Sequence, residues 1–144
     1  MSDKDAYLLD SSAILTLLEG EEGTEEVKSI LMQAEEGKVK VYLPFMVMME
    51  VIYKVWQKEG KEEAEETAAI LKGLKTEDVF LNESLIWLAA EIKANYKLSV
   101  ADAWIVASSI SKKARLIHKD PEFEQVEAKV SLLGLPYKSK VGLK

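Results

Sequence analysis

The sequence predicts an α/β domain of three layers, α/β/α, with a short, mostly parallel central sheet of four or five strands. Short apolar runs that suit buried strands alternate with longer segments whose apolar residues recur at helical spacing. Acidic residues follow some of these runs, and open parallel sheets gather functional groups beyond the carboxyl ends of their strands. We therefore expect right-handed crossover connections, with helices covering both faces of the sheet.

Composition limits the class of protein. The 144 residues are 48% hydrophobic and 31% charged, which predicts one domain over residues 1–144, with a frayed tail from about residue 138. There is no cysteine, so disulfides and thiolate metal sites are excluded. No apolar run is long enough to span a membrane, and the N-terminus lacks the features of a secretory signal. We therefore expect a cytoplasmic protein with no membrane partner.

The net charge of −6 argues against a general nucleic-acid coat, which would be basic. A negative net charge is still compatible with a nuclease, because carboxylates at a metal site count toward the net charge until cations neutralise them. The chain has no glycine-rich phosphate loop, no GxSxG motif and no HExxH motif, so none of those catalytic classes is indicated.

The chain begins with a strand and two helices. Residues 6–9 form an apolar run ended by Asp10, and the hydroxyl residues Ser11 and Ser12 can open a helix directly after it. A second helix is expected to start at Thr24, whose hydroxyl would cap it ahead of two acids in the first turn.

The second strand is expected at residues 39–43. Pro44 suits the first turn of the next helix, where its missing N–H costs little, and that helix is expected over residues 44–58. Gly60 would end it, and a more exposed helix is expected over residues 62–74.

The last third of the chain completes the sheet. A short edge strand is expected at residues 78–81, and Asn82 would cap the helix that follows. A helix rich in small residues follows Ser99 and can lie close to the sheet. Residues 115–118 would form a fourth strand and residues 130–133 a fifth.

Three acids stand where a parallel sheet could bring them together, and each also has a simpler explanation. Asp10 can be an N-cap, which is worth about 1 kcal/mol. Asp102 follows Ser99 at the spacing of a capping box, with Asp in place of the usual Glu. Asp120 precedes Pro121, and Asp-Pro is a common turn signal. For each acid the local role and a functional role remain compatible.

A fourth acid, Glu50, interrupts an apolar helix. It shares a helical face with Met46, Met49 and Tyr53, and a carboxylate buried there without a partner would cost several kcal/mol. The alternative is an exposed ion pair with Lys54, one turn away, worth a few tenths of a kcal/mol. We favour a functional role, because apolar residues occupy nearly every side of the segment.

These four acids together indicate a metal site. Carboxylates packed closely would repel one another, and some would keep protons in the absence of metal. Magnesium and manganese prefer oxygen ligands and need only a few carboxylates. Such ions can activate water and stabilise the leaving oxygen of a phosphodiester. Glu122, two residues after Asp120, is either an auxiliary acid or plain surface.

Other residues carry weaker signals. His118 is the only histidine and is expected to be a core or rim residue of its strand. Lys119 and the basic residues just before His118 could contact phosphates or could simply be solvated. Trp56, Trp87 and Trp104 are expected to be packing residues.

Four motifs in order resemble the PIN-domain ribonucleases, above all the VapC type, the toxin half of VapBC toxin–antitoxin pairs. The resemblance covers nearly the whole chain. The motifs are LLDSSA at 8–13, MEV at 49–51, LSVADA at 98–103 and LIHKDPEF at 116–123. It implies a PIN-like fold and an endoribonuclease dependent on Mg²⁺ or Mn²⁺.

By this resemblance, the acids that hold the metal and carry catalysis would be Asp10, Glu50, Asp102 and Asp120. Ser12 would be an auxiliary hydroxyl that orients an acid or a water. The family often has Asp where this chain has Glu122, and this difference keeps the negative charge. The family often has Thr or Ser where this chain has His118, so the hydroxyl is missing here. The resemblance also implies an RNA substrate, a homodimer and an inhibiting antitoxin protein.

Two alternatives compete with the nuclease hypothesis. One is a catalytically inactive PIN-like module that binds RNA or protein. The presence of all four acids argues against this alternative. The other is an aspartate-based receiver or phosphatase. Receivers carry adjacent acids after the first strand, and the phosphatases carry a second Asp two residues after the first. In this chain the residues beside Asp10 and two positions after it are Leu9, Ser11 and Ser12, none of which is acidic.

Overall fold

Five parallel strands form a single sheet in the order β3–β2–β1–β4–β5. The structure, a computed structural model, describes residues 5–137, so the tail expected to fray from residue 138 lies outside the described residues. The strands are β1 (Asp5–Leu9), β2 (Val39–Pro44), β3 (Glu77–Val79), β4 (Arg115–His118) and β5 (Leu132–Gly134). The predicted α/β class and parallel sheet are confirmed, with five strands.

Helices form the two outer layers. They are α1 (Ser11–Glu19), α2 (Thr24–Glu35), α3 (Val47–Glu59), α4 (Lys61–Lys72), α5 (Glu83–Asn95) and α6 (Val100–Lys112). A 3₁₀ helix, Pro121–Val126, follows β4. Helix α6 packs on β1, β2 and β4 and is backed by α5, whereas α1, α2 and α3 pack against the strands and α4 packs against α3. Within residues 5–137, no helix combines the length and the apolar character needed to cross a bilayer.

The two central strands are buried on both faces. Leu8 and Leu9 in β1 and Leu116 and Ile117 in β4 have no exposed surface. Neighbouring apolar residues therefore occur within each strand instead of alternating with polar ones, because helices cover each face of a parallel sheet. As a result, Asp10 and the segment after His118 leave the sheet side by side at its centre.

Several local predictions are confirmed. Asn82 accepts a hydrogen bond from the backbone N–H of Leu85 and caps α5. Ser99 accepts one from the N–H of Asp102 and caps α6. Gly60 ends α3. In each case the signal lies within a few residues of the feature that it specifies.

Two local predictions are wrong because contacts between elements outweigh helix preferences. Pro44 is not in the first turn of α3 but is the last residue of β2, where it pairs with Val79 of β3. Thr24 is not the cap of α2, since it is the first helical residue and Gly23 precedes it as N-cap. The Thr24 hydroxyl instead donates to the Thr16 carbonyl and fastens the turn between α1 and α2.

The packing role predicted for the tryptophans holds only for Trp104, which is partly buried against the core. Trp87 is 72% exposed and Trp56 is about half exposed. Both lie on outward faces of amphipathic helices, so the structure leaves large apolar surfaces facing solvent.

Candidate metal centre

Asp10 stands at the point where β1 becomes α1. It is the N-cap of α1, and its Oδ1 accepts hydrogen bonds from the Ala13 backbone N–H at 2.8 Å and the Ser12 hydroxyl at 2.7 Å. Both of these bonds use Oδ1, so the cap does not commit Oδ2. The capping role and a functional role are therefore compatible, as the sequence suggested.

The environment of Asp10 disfavours its charge. The residue is only 4% exposed. Burial above all, with smaller contributions from the charges of Asp102 and Glu50, raises the pKa of Asp10 to about 7, despite the lowering effect of the hydrogen bonds from Ser12 and Ala13. A buried, charged carboxylate at this position is costly at neutral pH, so either a proton or a bound cation would stabilise it.

Glu50 lies in the first turn of α3, half-buried. Its Oε1 is buried and has no hydrogen-bond partner among residues 5–137. Burial raises the pKa of Glu50, while the Lys54 ammonium and the Ser11 hydroxyl lower it. A buried carboxylate oxygen without a hydrogen-bond donor is unusual, and Lys54 and Ser11 only partly offset the desolvation of Glu50, which a proton or a cation would relieve further.

The sequence argument for Glu50 was partly wrong. Met49 is 59% exposed and Tyr53 is also exposed, so α3 is not apolar and buried on every side. The buried face of the helix consists of Val47, Val51 and Val55. Glu50 lies at the border of that face, and its relation to the other acids supports a functional role better than its apolar neighbours do.

Asp102 occupies the first turn of α6. The Ser99 hydroxyl accepts the backbone N–H of Asp102 at 3.1 Å and also interacts with its carboxylate. Burial above all, together with the charges of Asp120, Glu50 and Glu122, raises the pKa of Asp102 to about 6 despite the lowering effect of the Ser99 hydroxyl. Asp102 therefore interacts with every other acid of the group and lies at its centre.

Asp120 and Glu122 complete the group. Asp120 is the N-cap of the 3₁₀ helix, and its Oδ1 accepts from the Glu122 backbone N–H at 2.9 Å. Asp102, Asp120 and Glu122 each offer a carboxylate oxygen, and these oxygens lie within 4.8 Å of one another. Glu122, exposed and open to either interpretation in the sequence, thus lies beside two of the predicted ligands.

Five carboxylates from four segments of the chain consequently meet beyond the carboxyl ends of β1 and β4. They are Asp10, Glu50, Asp102, Asp120 and Glu122. The donor set consists of oxygens alone, the set that hard divalent cations such as Mg²⁺ and Mn²⁺ prefer. The partnerless Oε1 of Glu50 and the raised pKa of Asp10 are both features that a cation would relieve. The residues present therefore fit a divalent metal ion.

Lys119 has a structural setting that sequence reasoning missed. Its side chain is 6% exposed, and Nζ contacts the Glu22 carbonyl at 2.8 Å and the Glu21 carboxylate at 3.4 Å. Its backbone N–H donates to the Ser12 hydroxyl at 3.1 Å. The ammonium is directed into the α1–α2 turn, so the suggested phosphate contact is not supported. No local signal in the sequence distinguishes this lysine from its solvated neighbours.

His118 is a core residue, as predicted. Burial lowers the pKa of His118, and its Nδ1 accepts a hydrogen bond from the Asp120 backbone N–H at 3.1 Å. The sole histidine therefore touches the backbone of one predicted ligand.

Comparisons with known proteins agree with this architecture. The family model for the PIN domain matches residues 7–129. A chain from VapBC2 of Rickettsia felis, bound to promoter DNA, superposes with a TM-score of 0.75 at 14% identity, covering 91% of this chain and 99% of that one. A chain from DNA-bound VapBC of Salmonella typhimurium gives 0.72 at 14% identity, with 91% and 98% covered.

A third structure, VapC20 of Mycobacterium tuberculosis, is described as a toxin that cleaves the sarcin–ricin loop. It gives a TM-score of 0.66 at 18% identity, covering 83% of this chain and 94% of that one. No curated protein sequence matches the chain. The structural likenesses concern the fold, and the family model covers most of the sequence. The chain belongs to the PIN domain family.

Proposed function

We propose that this chain is a metal-dependent endoribonuclease that hydrolyses RNA phosphodiester bonds and acts as the toxin of a type II toxin–antitoxin pair. The observation that carries the proposal is the meeting of five carboxylates, with a buried oxygen of Glu50 left without a partner. Membership of the PIN domain family supports a nuclease, and the fold shared with a sarcin–ricin-loop-cleaving toxin supports RNA as substrate.

The residues that would hold Mg²⁺ or Mn²⁺ are Asp10, Glu50, Asp102 and Asp120, with Glu122 beside them. The cation would supply a lowered pKa for a water molecule and positive charge at the scissile phosphate. The chain's own residues prepare the site. Ser12 and Ala13 hold Oδ1 of Asp10, which leaves Oδ2 for the metal, and Ser99 holds the start of α6.

Electrostatics explains why the acids alone would not suffice. A cluster of carboxylates repels the phosphates of RNA, so a cation must reverse the local charge before a phosphodiester can approach. Protonation relieves the repulsion among the acids but supplies no positive charge. The proposed activity should therefore need metal, and it should weaken as the pH falls because protons compete with the cation for these carboxylates.

The direct test is RNA cleavage with Mn²⁺ or with chelator, comparing wild type, Asp102→Asn and Asp78→Asn. Asp78 is an exposed acid on β3 and provides a matched control for the same chemical change. We expect metal-dependent cleavage by wild type and Asp78→Asn, and none by Asp102→Asn. Equal cleavage by all three would contradict the proposal, and metal binding without any cleavage would favour the inactive RNA- or protein-binding module.

We further propose a protein partner and a homodimer in the cytoplasm. Two of the similar structures come from VapBC complexes, and an exposed apolar stripe on α3, formed by Met49, Tyr53 and Trp56, supports protein contact. Light scattering should give twice the 16.1 kDa chain mass. A small protein encoded beside the gene should co-purify with the chain and suppress its cleavage. A monomer that no such protein inhibits would contradict these proposals.

A further inference from the structure

The histidine at the end of β4 is held rigidly. The His118 ring is 1% exposed, and it packs edge-on to Phe123 with centroids 5.1 Å apart and at a tilt to Tyr137 with centroids 6.0 Å apart. Its carbonyl accepts the N–H of Leu135, which joins β4 to the segment after β5. Neither the ring nor its backbone is free to reorient without disturbing the core.

The ring makes one specific polar contact with the metal-binding segment. Nδ1 accepts the backbone N–H of Asp120 at 3.1 Å. Since an N–H group can only donate, Nδ1 must be unprotonated and the ring proton must lie on Nε2. The side chain thus closes a turn with the residue two positions on, as Asx side chains commonly do.

A second turn of the same kind follows immediately. Oδ1 of Asp120 accepts the N–H of Glu122 at 2.9 Å. The chain therefore leaves the sheet through two consecutive side-chain-to-backbone bonds. The first fixes the peptide that carries Asp120, and the second brings Glu122 beside it, so that both carboxylates lie near Asp102.

We propose that His118 is a positioning residue for the metal centre, because its Nδ1 holds the amide of Asp120 and thereby directs the Asp120 carboxylate toward Asp102 and Glu122. The inference rests on the proposed function for its chemical consequence. Asp120 would touch the metal and His118 would act through it. Partners that orient metal ligands in this way typically contribute about 10- to 100-fold to metal affinity.

Two substitutions separate the acceptor from the bulk of the ring. In His118→Asn the amide oxygen can lie near the former position of Nδ1, and in His118→Gln the amide group lies near that of Nε2. We expect Mn²⁺ affinity, measured by calorimetry, to stay within about threefold of wild type in His118→Asn and to fall about tenfold or more in His118→Gln. Melting in chelator should show that both variants fold, with His118→Gln the less stable of the two because the Asp120 N–H loses its acceptor.

Nuclear magnetic resonance on the ¹⁵N-labelled chain gives a readout that does not need activity. The imidazole ¹⁵N shifts should report an unprotonated Nδ1, and a scalar coupling across the hydrogen bond should join Nδ1 to the Asp120 amide nitrogen. A protonated Nδ1 would overturn the inference. So would equal loss of Mn²⁺ affinity in both variants, which would point to ring packing alone.

The outcomes also distinguish this inference from the proposed function. If wild type binds Mn²⁺ but cuts no RNA, the nuclease proposal fails while the comparison of His118→Asn with His118→Gln still decides the role of His118. If wild type binds no Mn²⁺, the metal centre and this inference are both overturned. If His118→Gln binds Mn²⁺ as tightly as wild type, only the role of His118 is overturned.

Discussion

The Ser12 hydroxyl donates a hydrogen bond to Oδ1 of Asp10 at 2.7 Å. The Ser12 hydroxyl oxygen in turn accepts the backbone N–H of Lys119 at 3.1 Å. One hydroxyl therefore connects the start of α1 to the segment that follows β4. Accepting the Lys119 N–H also strengthens the hydrogen bond that this hydroxyl donates to Asp10. The two central strands of the sheet are joined at the candidate metal centre through this side chain.

Replacing Ser12 by Ala should destabilise the chain by about 1–3 kcal/mol, because the Lys119 N–H loses its partner and Asp10 loses a donor. Ser12→Thr keeps the hydroxyl and should lose less. Urea unfolding with chelator present measures both, and Ser111→Ala, an exposed serine of α6, is the matched control. Equal destabilisation by Ala and Thr would show that the hydroxyl bonds do not matter.

Stability without metal should fall as the pH rises toward 8. The pKa of Asp10 is about 7 in the folded chain and 3.8 as its ordinary value, so between these values the folded chain binds more protons than the unfolded chain. The free energy of unfolding therefore decreases with pH through this window, by roughly 4 kcal/mol in total from Asp10, and levels off above pH 7.

The control for this pH dependence is Asp10→Asn, since Asn also caps helices but carries no titrating group. Urea unfolding at pH 5.5 and pH 8 in chelator should give a clearly smaller pH dependence in this variant. An unchanged slope would mean that Asp10 is not the group responsible.

Manganese should stabilise the chain, and more strongly at pH 8 than at pH 5.5, because the cation competes with protons for the same carboxylates. At a free concentration of about 100 times the dissociation constant, the gain is about 2.7 kcal/mol. Thermal melting measures it directly. Asp102→Asn should abolish most of the shift and Asp78→Asn none of it. A shift that Asp102→Asn leaves intact would place the cation elsewhere.

Lys119→Met should loosen the α1–α2 turn, because Nζ would no longer contact the Glu22 carbonyl or the Glu21 carboxylate. We expect a loss of about 1–3 kcal/mol and faster amide hydrogen exchange around residues 21–24, with little change in Mn²⁺ affinity. Lys93→Met, on the exposed side of α5, is the control. Unchanged exchange in the turn would mean that Lys119 does not hold it.

Much of the fold could be predicted because its signals are local. The apolar run at residues 6–9 identified β1 as a buried strand, residues 115–118 were recognised as β4, and caps such as Asn82 and Ser99 marked helix starts. The order of strands and helices then implied a parallel sheet. The acids after β1 and β4 could be singled out because a parallel sheet puts the ends of its strands together.

What the sequence by itself determined was the pattern of strands, helices and caps, since apolar periodicity and turn chemistry act within a few residues. Only the tertiary structure decided which groups lose water and which groups meet. It placed Pro44 in β2, exposed Met49, buried Lys119 and set Nδ1 of His118 against the amide of Asp120. Burial, charge repulsion and hydrogen bonds between distant segments depend on packing, and packing brings together residues that no local pattern connects.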